Sequence, residues 1–321
     1  MRLSRRRRGH SRGNESGMTL EQLRIFVAVA ERQHMTRAAE ALNLTQQAVS
    51  SAIVTLENAY STVLFHRVGR RIELTEAGGV FLEEARCVLA RAAAAELALS
   101  ELGDLKRGTL AVQASQTIAS YWLPRRLVAF HLAHPEITLR VGIGNTAQVA
   151  KAVMDGAAEI GFIEGTIDEP TLSYEKLRED RLILAVAPAH PWARRDRVEV
   201  DELPQSDWVL REVGSGTRSA FEASLAQLGL SPRMLKVVLE LPSNEAVRDA
   251  VEAGGGATVI SDLVADAALR SGALRHVPID LPARPFFVVR HRERYRSKVA
   301  DVFLHVVRDG RSHPRRTPGS A

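Results

Sequence analysis

Two sets of polar side chains in this 321-residue chain have types and spacing suited to chemistry. The first is Thr45, Gln46, Gln47, Ser50 and Ser51, within TRAAEALNLTQQAVSSAIVTLE, residues 36–57. Short hydroxyl and amide groups at the N-terminal end of a helix suit the base edges of a DNA major groove. Gln pairs with adenine through two hydrogen bonds, and Ser donates or accepts. Thr36 and Arg37, at the start of the preceding helix, join them as candidate DNA contacts. The second set is Ser115, Gln116 and Thr117, then Asn145 and Thr146, then Glu164, Arg211, the turn Gly214-Ser215-Gly216-Thr217-Arg218, and Ser243-Asn244. Each group ends a strand-like run, and most precede a helix. Helix N-termini at the C-terminal ends of strands present backbone N–H groups to an anionic or strongly polar ligand, and Arg211 and Arg218 add cationic donors. Singly, such residues also serve as helix caps; as a converging set they predict a binding site.

The elements that must position these groups are legible around them. Leu20, Leu23, Phe26, Val27 and Ala30 recur at helical spacing. Thr36 is placed to cap a second helix through Leu42, and Thr45 a third through Leu56. Ala38, Ala39 and Ala48 are small enough for a close helix crossing, and Leu42, Leu44, Val49, Ile53 and Leu56 supply apolar seating. A helical hairpin with a solvated polar face would share this pattern. The basic hairpin that follows, FHRVGRRIEL, narrows the choice. Arg67, Arg70 and Arg71 suit a wing that contacts phosphate or the minor groove.

Thr75 opens a long Ala-rich helix through about residue 105. Phe81, Ala85, Val88, Ala92, Ala95, Leu99 and Leu102 follow one another at steps of 4, 3, 4, 3, 4 and 3. That heptad seam needs an apolar partner, and a second copy of the chain is the simplest. After residue 108, strand-like runs at 110–115, 137–143, 159–164, 181–188, 207–212, 236–241, 257–261 and 285–290 alternate with helical stretches. This predicts an α/β domain with largely parallel strands.

The totals bound the function. Hydrophobic and charged contents of 45% and 25% are those of a globular protein. No window is long and apolar enough for a membrane span. Residues 1–17 carry six Arg and one Glu, which equals the whole net charge of +5. The remainder is neutral, so the basic balance says nothing about a DNA-binding body. The extension has no apolar stretch after its arginines, reads as disordered rather than as a secretory signal, and adds at most non-specific phosphate attraction. The single cysteine, Cys87, excludes an internal disulfide framework and reads as a packed thiol. His10, His34, His66, His131 and His134 are scattered without ligand spacing, so no metal is expected. GxSxG, HExxH and P-loop motifs are absent, and no cofactor or catalytic residue is predicted. One rival pattern remains. Gly142, Gly144 and Ala147 with Glu164 outline a dinucleotide fingerprint, which keeps a nicotinamide-nucleotide-binding protein or α/β enzyme as the alternative. A free-standing solute-binding protein is disfavoured by the N-terminal module.

Residues 18 to about 308 resemble LysR-type transcriptional regulators. MTLEQLRIFVAVAE, TRAAEALNLTQQAVSSAIVTLE and LFHRVGRRIELTEAG stand in that family's order and spacing. The resemblance implies an all-α winged helix-turn-helix (18–74), a long dimerising linker helix (75–107) and an α/β effector domain (108–308). The last comprises two Rossmann-like, periplasmic-binding-protein-like subdomains, about 108–180 with 284–308 and about 181–283. Residues 309–321 form a disordered tail. It further implies a bacterial, cytoplasmic dimer or tetramer that bends promoter DNA, with RNA polymerase as a candidate partner. Gln46, Gln47, Ser50 and Ser51 become the reading residues, and Arg70 serves the wing. Three residues depart from the family pattern. Gln47 replaces the frequent Ser or Pro and Ser51 the frequent Arg, which implies a different operator. Ser61 replaces the usual Gly and should strain the turn into the wing. ASQTIASYWLP, GIGNTAQVAKAV, GFIEG and LREVGSGTR resemble the branch controlling carbon dioxide fixation and sulfur assimilation. Its effectors are phosphorylated sugars and related anions, or oxyanions such as sulfite.

Overall fold

The structure is a computed structural model that describes residues 17–68, 71–100, 108–165 and 167–309. The basic extension, the wing tip with Arg70, the end of the linker helix with Leu102, and the C-terminal tail lie outside those residues. The chain divides into two compact units, with the division after Ala92.

The first unit opens with α1 (Leu20–Arg32), α2 (Met35–Leu42) and α3 (Gln46–Tyr60). Thr19 and Gln22 form a reciprocal cap on α1, each side-chain oxygen accepting the other residue's backbone N–H. Thr45 Oγ1 accepts from Ala48 N at 3.2 Å and starts α3 as expected. Thr36 does not cap α2. That position is held by His34, and Thr36 lies one residue inside the helix. Phe26, Val29, Ala38, Ala39, Val49, Ile53 and Leu56 form the core. Ala48 is exposed rather than packed in the core, while half-buried Ala52 packs against that core.

A two-stranded antiparallel wing, β1 (Phe65–Val68) and β2 (Arg71–Leu74), follows. Glu57 Oε1 fixes its entry by accepting from Leu64 N and Phe65 N at 2.7 and 3.2 Å. Ser61 ends α3 at φ 49°, a left-handed conformation that suits Gly better than Ser. Thr75 Oγ1 accepts from Gly78 N at 2.9 Å and starts α4 (Glu76–Ser100). The predicted seam divides along this helix. Phe81 packs against Phe26 with tilted rings, centroids 4.7 Å apart, and Ala85 is buried, so the unit's own core takes up both. Ala92 is half-buried, while Val88, Ala95 and Leu99 are exposed. Heptad spacing identified an apolar stripe, and its first two positions fall beside Phe26.

The second unit holds two five-stranded sheets. In chain order its elements are β3 (Gly108–Ser115), α5 (Pro124–Ala133), β4 (Ile137–Gly144), α6 (Thr146–Asp155), β5 (Ile160–Glu164), β6 (Leu172–Asp180), β7 (Leu182–Val186), β8 (Asp207–Arg211), α7 (Gly216–Gln227), β9 (Lys236–Leu241), α8 (Asn244–Glu252), β10 (Ala257–Ser261), α9 (Asp262–Ser271), β11 (Arg275–Val277), β12 (Arg284–His291) and α10 (Lys298–Asp309). The first sheet runs β4-β3-β5-β12-β6 and the second β11-β7-β10-β8-β9. Both are mixed rather than largely parallel. β4, β3 and β5 pair parallel, as do β10, β8 and β9. The pairings of β12, β6, β7 and β11 are antiparallel. The chain leaves the first sheet at Asp180 and re-enters it at Arg284, two residues that pair in register.

Candidate functional site

The effector candidates gather where the two sheets face each other. Ser115 ends β3, and Gln116 and Thr117 follow it into a π-helical turn, Ile118–Trp122. Asn145 caps α6 in a reciprocal box with Gln148, and Ser243 caps α8. α7 begins at Gly216 with no side-chain cap, after Gly214 at φ +89°. A Cβ on Gly216 would stand 2.5 Å from Thr146 Oγ1 and 2.6 Å from the Glu164 carbonyl. Only Gly lets α7 approach α6 and β5 so closely.

A buried polar network spans the two subdomains. Arg211 donates to Glu212 Oε2 and Oε1 at 2.8 and 2.9 Å and to Asn244 Oδ1 at 2.6 Å. Asn244 Nδ2 donates to Thr117 Oγ1 at 3.1 Å, and Asn244 N donates to Gln116 Oε1 at 2.9 Å. Gln116 Nε2 donates to the Pro242 carbonyl at 3.0 Å. Asn145 Nδ2 donates to Glu212 Oε1 at 3.2 Å, Ala147 N to the Gly214 carbonyl at 3.2 Å, and Tyr121 Oη to Glu245 Oε1 at 3.0 Å. Burial and Glu245 push the Tyr121 phenol up to about 12. Burial raises the Glu212 carboxyl, but the hydrogen bond and charge of Arg211 outweigh it and hold the group below the usual carboxylate range.

Two candidate residues take partners outside that network. Glu164 does not pair with Arg211. Its Oε2 accepts from Thr146 Oγ1 at 3.2 Å, and Arg211 is taken by Glu212 and Asn244. Arg218 turns to Glu222, Glu240 and the Arg211 carbonyl, so its charge is spent outside the network. The cation in the middle is Arg284, which the sequence reading passed over. It is 3% exposed. It donates to Asp180 Oδ2 and Thr217 Oγ1 at 2.8 Å and to Thr117 Oγ1 at 3.4 Å. Asp180 Oδ1 accepts from Ser261 Oγ at 2.7 Å. Burial raises the Asp180 carboxyl above its ordinary range, opposed by Arg284 and Ser261. The available signal was a charged residue opening the strand that returns to the first sheet. Ser115 Oγ and Glu164 Oε1 are buried without a partner. Beside the network lies a cavity of about 500 Å³. Thr146, Glu164, Ser219 and Arg284 supply its polar wall, and Ile167, Ala220, Ala223, Pro282 and Pro285 its apolar one.

The fingerprint-like glycines have local roles. β4 is an edge strand, whereas a dinucleotide fold places its first strand centrally. A Cβ on Gly142 would overlap the Gln113 side chain, 2.0 Å from Oε1.

The DNA-reading candidates sit on the first unit's surface. Gln46, Gln47, Ser50 and Ser51 line one concave patch with Val54. Thr36, Arg37 and Thr45 are exposed. Arg67 and Arg71 occupy opposite strands of the wing, at register positions facing Ile72 and Val68. No helix among the described residues is long and apolar enough to cross a membrane. Those residues hold no cluster of potential metal ligands either.

Residues 20–79 match the bacterial regulatory helix-turn-helix protein, lysR family, and residues 103–312 match the LysR substrate binding domain. The chain is 34% identical over 294 residues to a "Probable RuBisCO transcriptional regulator" of Thalassiosira pseudonana, covering 89% of this chain and 96% of that one. It shares its fold with full-length CbnR complexed with its target DNA (TM-score 0.66, 22% identity, 92% of this chain and 100% of that one). The regulatory domain of Synechocystis PCC6803 CcmR in complex with 2-PG also shares the fold (TM-score 0.59, 24% identity, 64% of this chain and 97% of that one). The chain belongs to the LysR family of DNA-binding transcriptional regulators, with a helix-turn-helix module followed by a two-subdomain α/β effector-binding domain.

Proposed function

We propose that this regulator is switched by a small anionic metabolite bound between the two subdomains. The observation that carries the reading is the convergence on one buried network of the first turns of α6, α7 and α8 with Arg211 and Arg284. That arrangement offers backbone and guanidinium donors to an anion. The 2-PG bound by CcmR points to the same chemistry. The ligand acts by replacing the direct hydrogen bonds that tie the subdomains together, which changes their closure and the spacing of the DNA-binding heads. Ligand shifts this equilibrium only through different affinity for the two arrangements.

In this reading Gln46, Gln47, Ser50 and Ser51 read bases, while Thr36, Arg37, Thr45 and the wing arginines Arg67, Arg70 and Arg71 fix the register on phosphate. The exposed stripe of α4, with Val88, Ala95 and Leu99, joins two copies, and dimers pair into tetramers. The protein acts on promoter DNA in the cytoplasm, with RNA polymerase as a further partner. The test is a thermal-shift screen against phosphorylated sugars, sulfate, sulfite and nicotinamide nucleotides, followed by footprinting with each hit. A hit should alter the footprint and the DNA bend. Thr117→Val should abolish that response while leaving DNA binding intact. An unchanged footprint refutes the switch.

A further inference from the structure

Every arginine in or beside the network is matched by a carboxylate. Arg211 meets Glu212, Arg218 meets Glu222 and Glu240, and Arg284 meets Asp180. Glu164 is the carboxylate left over. It is 3% exposed and lines the cavity of about 500 Å³. Its Oε2 accepts from Thr146, and its Oε1 meets no donor among the described residues. Buried polar atoms are paired in the great majority of cases, so an orphaned carboxylate oxygen on a cavity wall calls for a donor from outside the chain. Thr146 does not account for Glu164. The Thr146 hydroxyl also reaches the Glu164 backbone carbonyl at 3.3 Å and keeps a partner without the carboxylate. Sulfate offers Glu164 only acceptors and like charge, and it fills a small part of the cavity.

We propose that the effector carries, beside its anionic group, a hydroxyl or ammonium donor accepted by Glu164, and that Glu164 thereby selects against bare oxyanions. This rests on the cleft being the effector site. The experiment is calorimetric titration of the full chain with two matched pairs and with sulfate. Glycerol 3-phosphate against propyl phosphate tests a hydroxyl, and phosphoethanolamine against ethyl phosphate tests an ammonium. The donor-bearing member of at least one pair should bind about tenfold more tightly or better, and more tightly than sulfate. The pair showing the preference identifies the donor. Glu164→Met removes the acceptor at similar volume. It should abolish the preference while the ligand-free protein melts no lower than wild type, because the orphaned group is gone. Equal affinities within both pairs, sulfate binding as tightly as the donor compounds, a preference that persists in Glu164→Met, or a variant melting well below wild type overturns the proposal. If the phosphates bind without preference, only this inference falls. If neither sulfate nor any phosphate binds, the anion site falls with it.

Discussion

Arg284→Met is expected to destabilise the protein by about 3–5 kcal/mol, because it leaves a buried carboxylate without its cation. Arg284 and Asp180 are 3% and 2% exposed, and Nε and Nη2 both reach Asp180 Oδ2 at 2.8 Å. After the substitution Asp180 keeps only Ser261. For a domain of this size each kcal/mol moves the midpoint by roughly 2–4 °C, so the variant should melt about 6–20 °C lower at neutral pH. The sign of the pH effect follows from the same geometry. Burial already raises the Asp180 carboxyl, and losing Arg284 raises it further. A carboxylate raised in the folded state is destabilising above its folded pKa, and the deficit shrinks as pH falls through that value. Asp180→Leu combined with Arg284→Met removes both charges and should recover most of the loss. Circular dichroism melts of the wild type, both single variants and the double variant at two pH values make the comparison. A single-variant loss below about 1 kcal/mol would refute the reasoning. So would a double variant that melts no higher than Arg284→Met.

The remaining expectations concern the first unit and the helix α4. Ser61→Gly relieves the φ 49° turn. It should stabilise that unit by about 0.5–1 kcal/mol, read as a higher melting midpoint. Gln46→Ala and Gln47→Ala should each weaken operator binding by about 1–3 kcal/mol, with non-specific affinity unchanged, as measured by fluorescence anisotropy on matched duplexes. Leu99→Glu, at a position 71% exposed, should reduce self-association in sedimentation without lowering the melting midpoint. Phe81→Ala should instead cost about 1–3 kcal/mol of stability, because half-buried Phe81 packs on Phe26.

What the sequence disclosed followed physical periodicity. The caps at Thr45 and Thr75 were legible because a hydroxyl before a helical run has few other uses. The eight strand-like runs were legible by their apolar composition, which holds even in the exposed edge strand β9. β6 was not, because LSYEKLRED carries five charged residues in nine and buries fully only its first and last residues. β11 has three residues, too few for any pattern. The strand-end rule located Ser115, Thr117, Thr146, Thr217 and Asn244. It says nothing of strand beginnings, and Arg284 begins β12. Arg218 misled for the converse reason. A guanidinium beside a predicted cleft has long reach, and Glu222 one turn along α7, with Glu240 on β9, offered nearer partners.

The same network sets the energy scale of the proposed switch. Besides Arg284–Thr217 and Ser261–Asp180 at the crossover of the chain, six direct hydrogen bonds among the described residues join the subdomains: Asn145–Glu212, Ala147–Gly214, Gln116–Pro242, Gln116–Asn244, Thr117–Asn244 and Tyr121–Glu245. At about 0.5–1.5 kcal/mol net for each, they favour the closed arrangement by about 3–9 kcal/mol before strain and ligand are counted. Driving a two-state equilibrium from 1:99 to 99:1 takes about 5.5 kcal/mol of differential affinity. The two quantities are comparable, so a ligand that takes over a few of these bonds can set the arrangement. A ligand that left all six in place would find no lever. The response should therefore depend on Thr117, Asn145 and Asn244 even where they add little affinity, because each belongs to the latch.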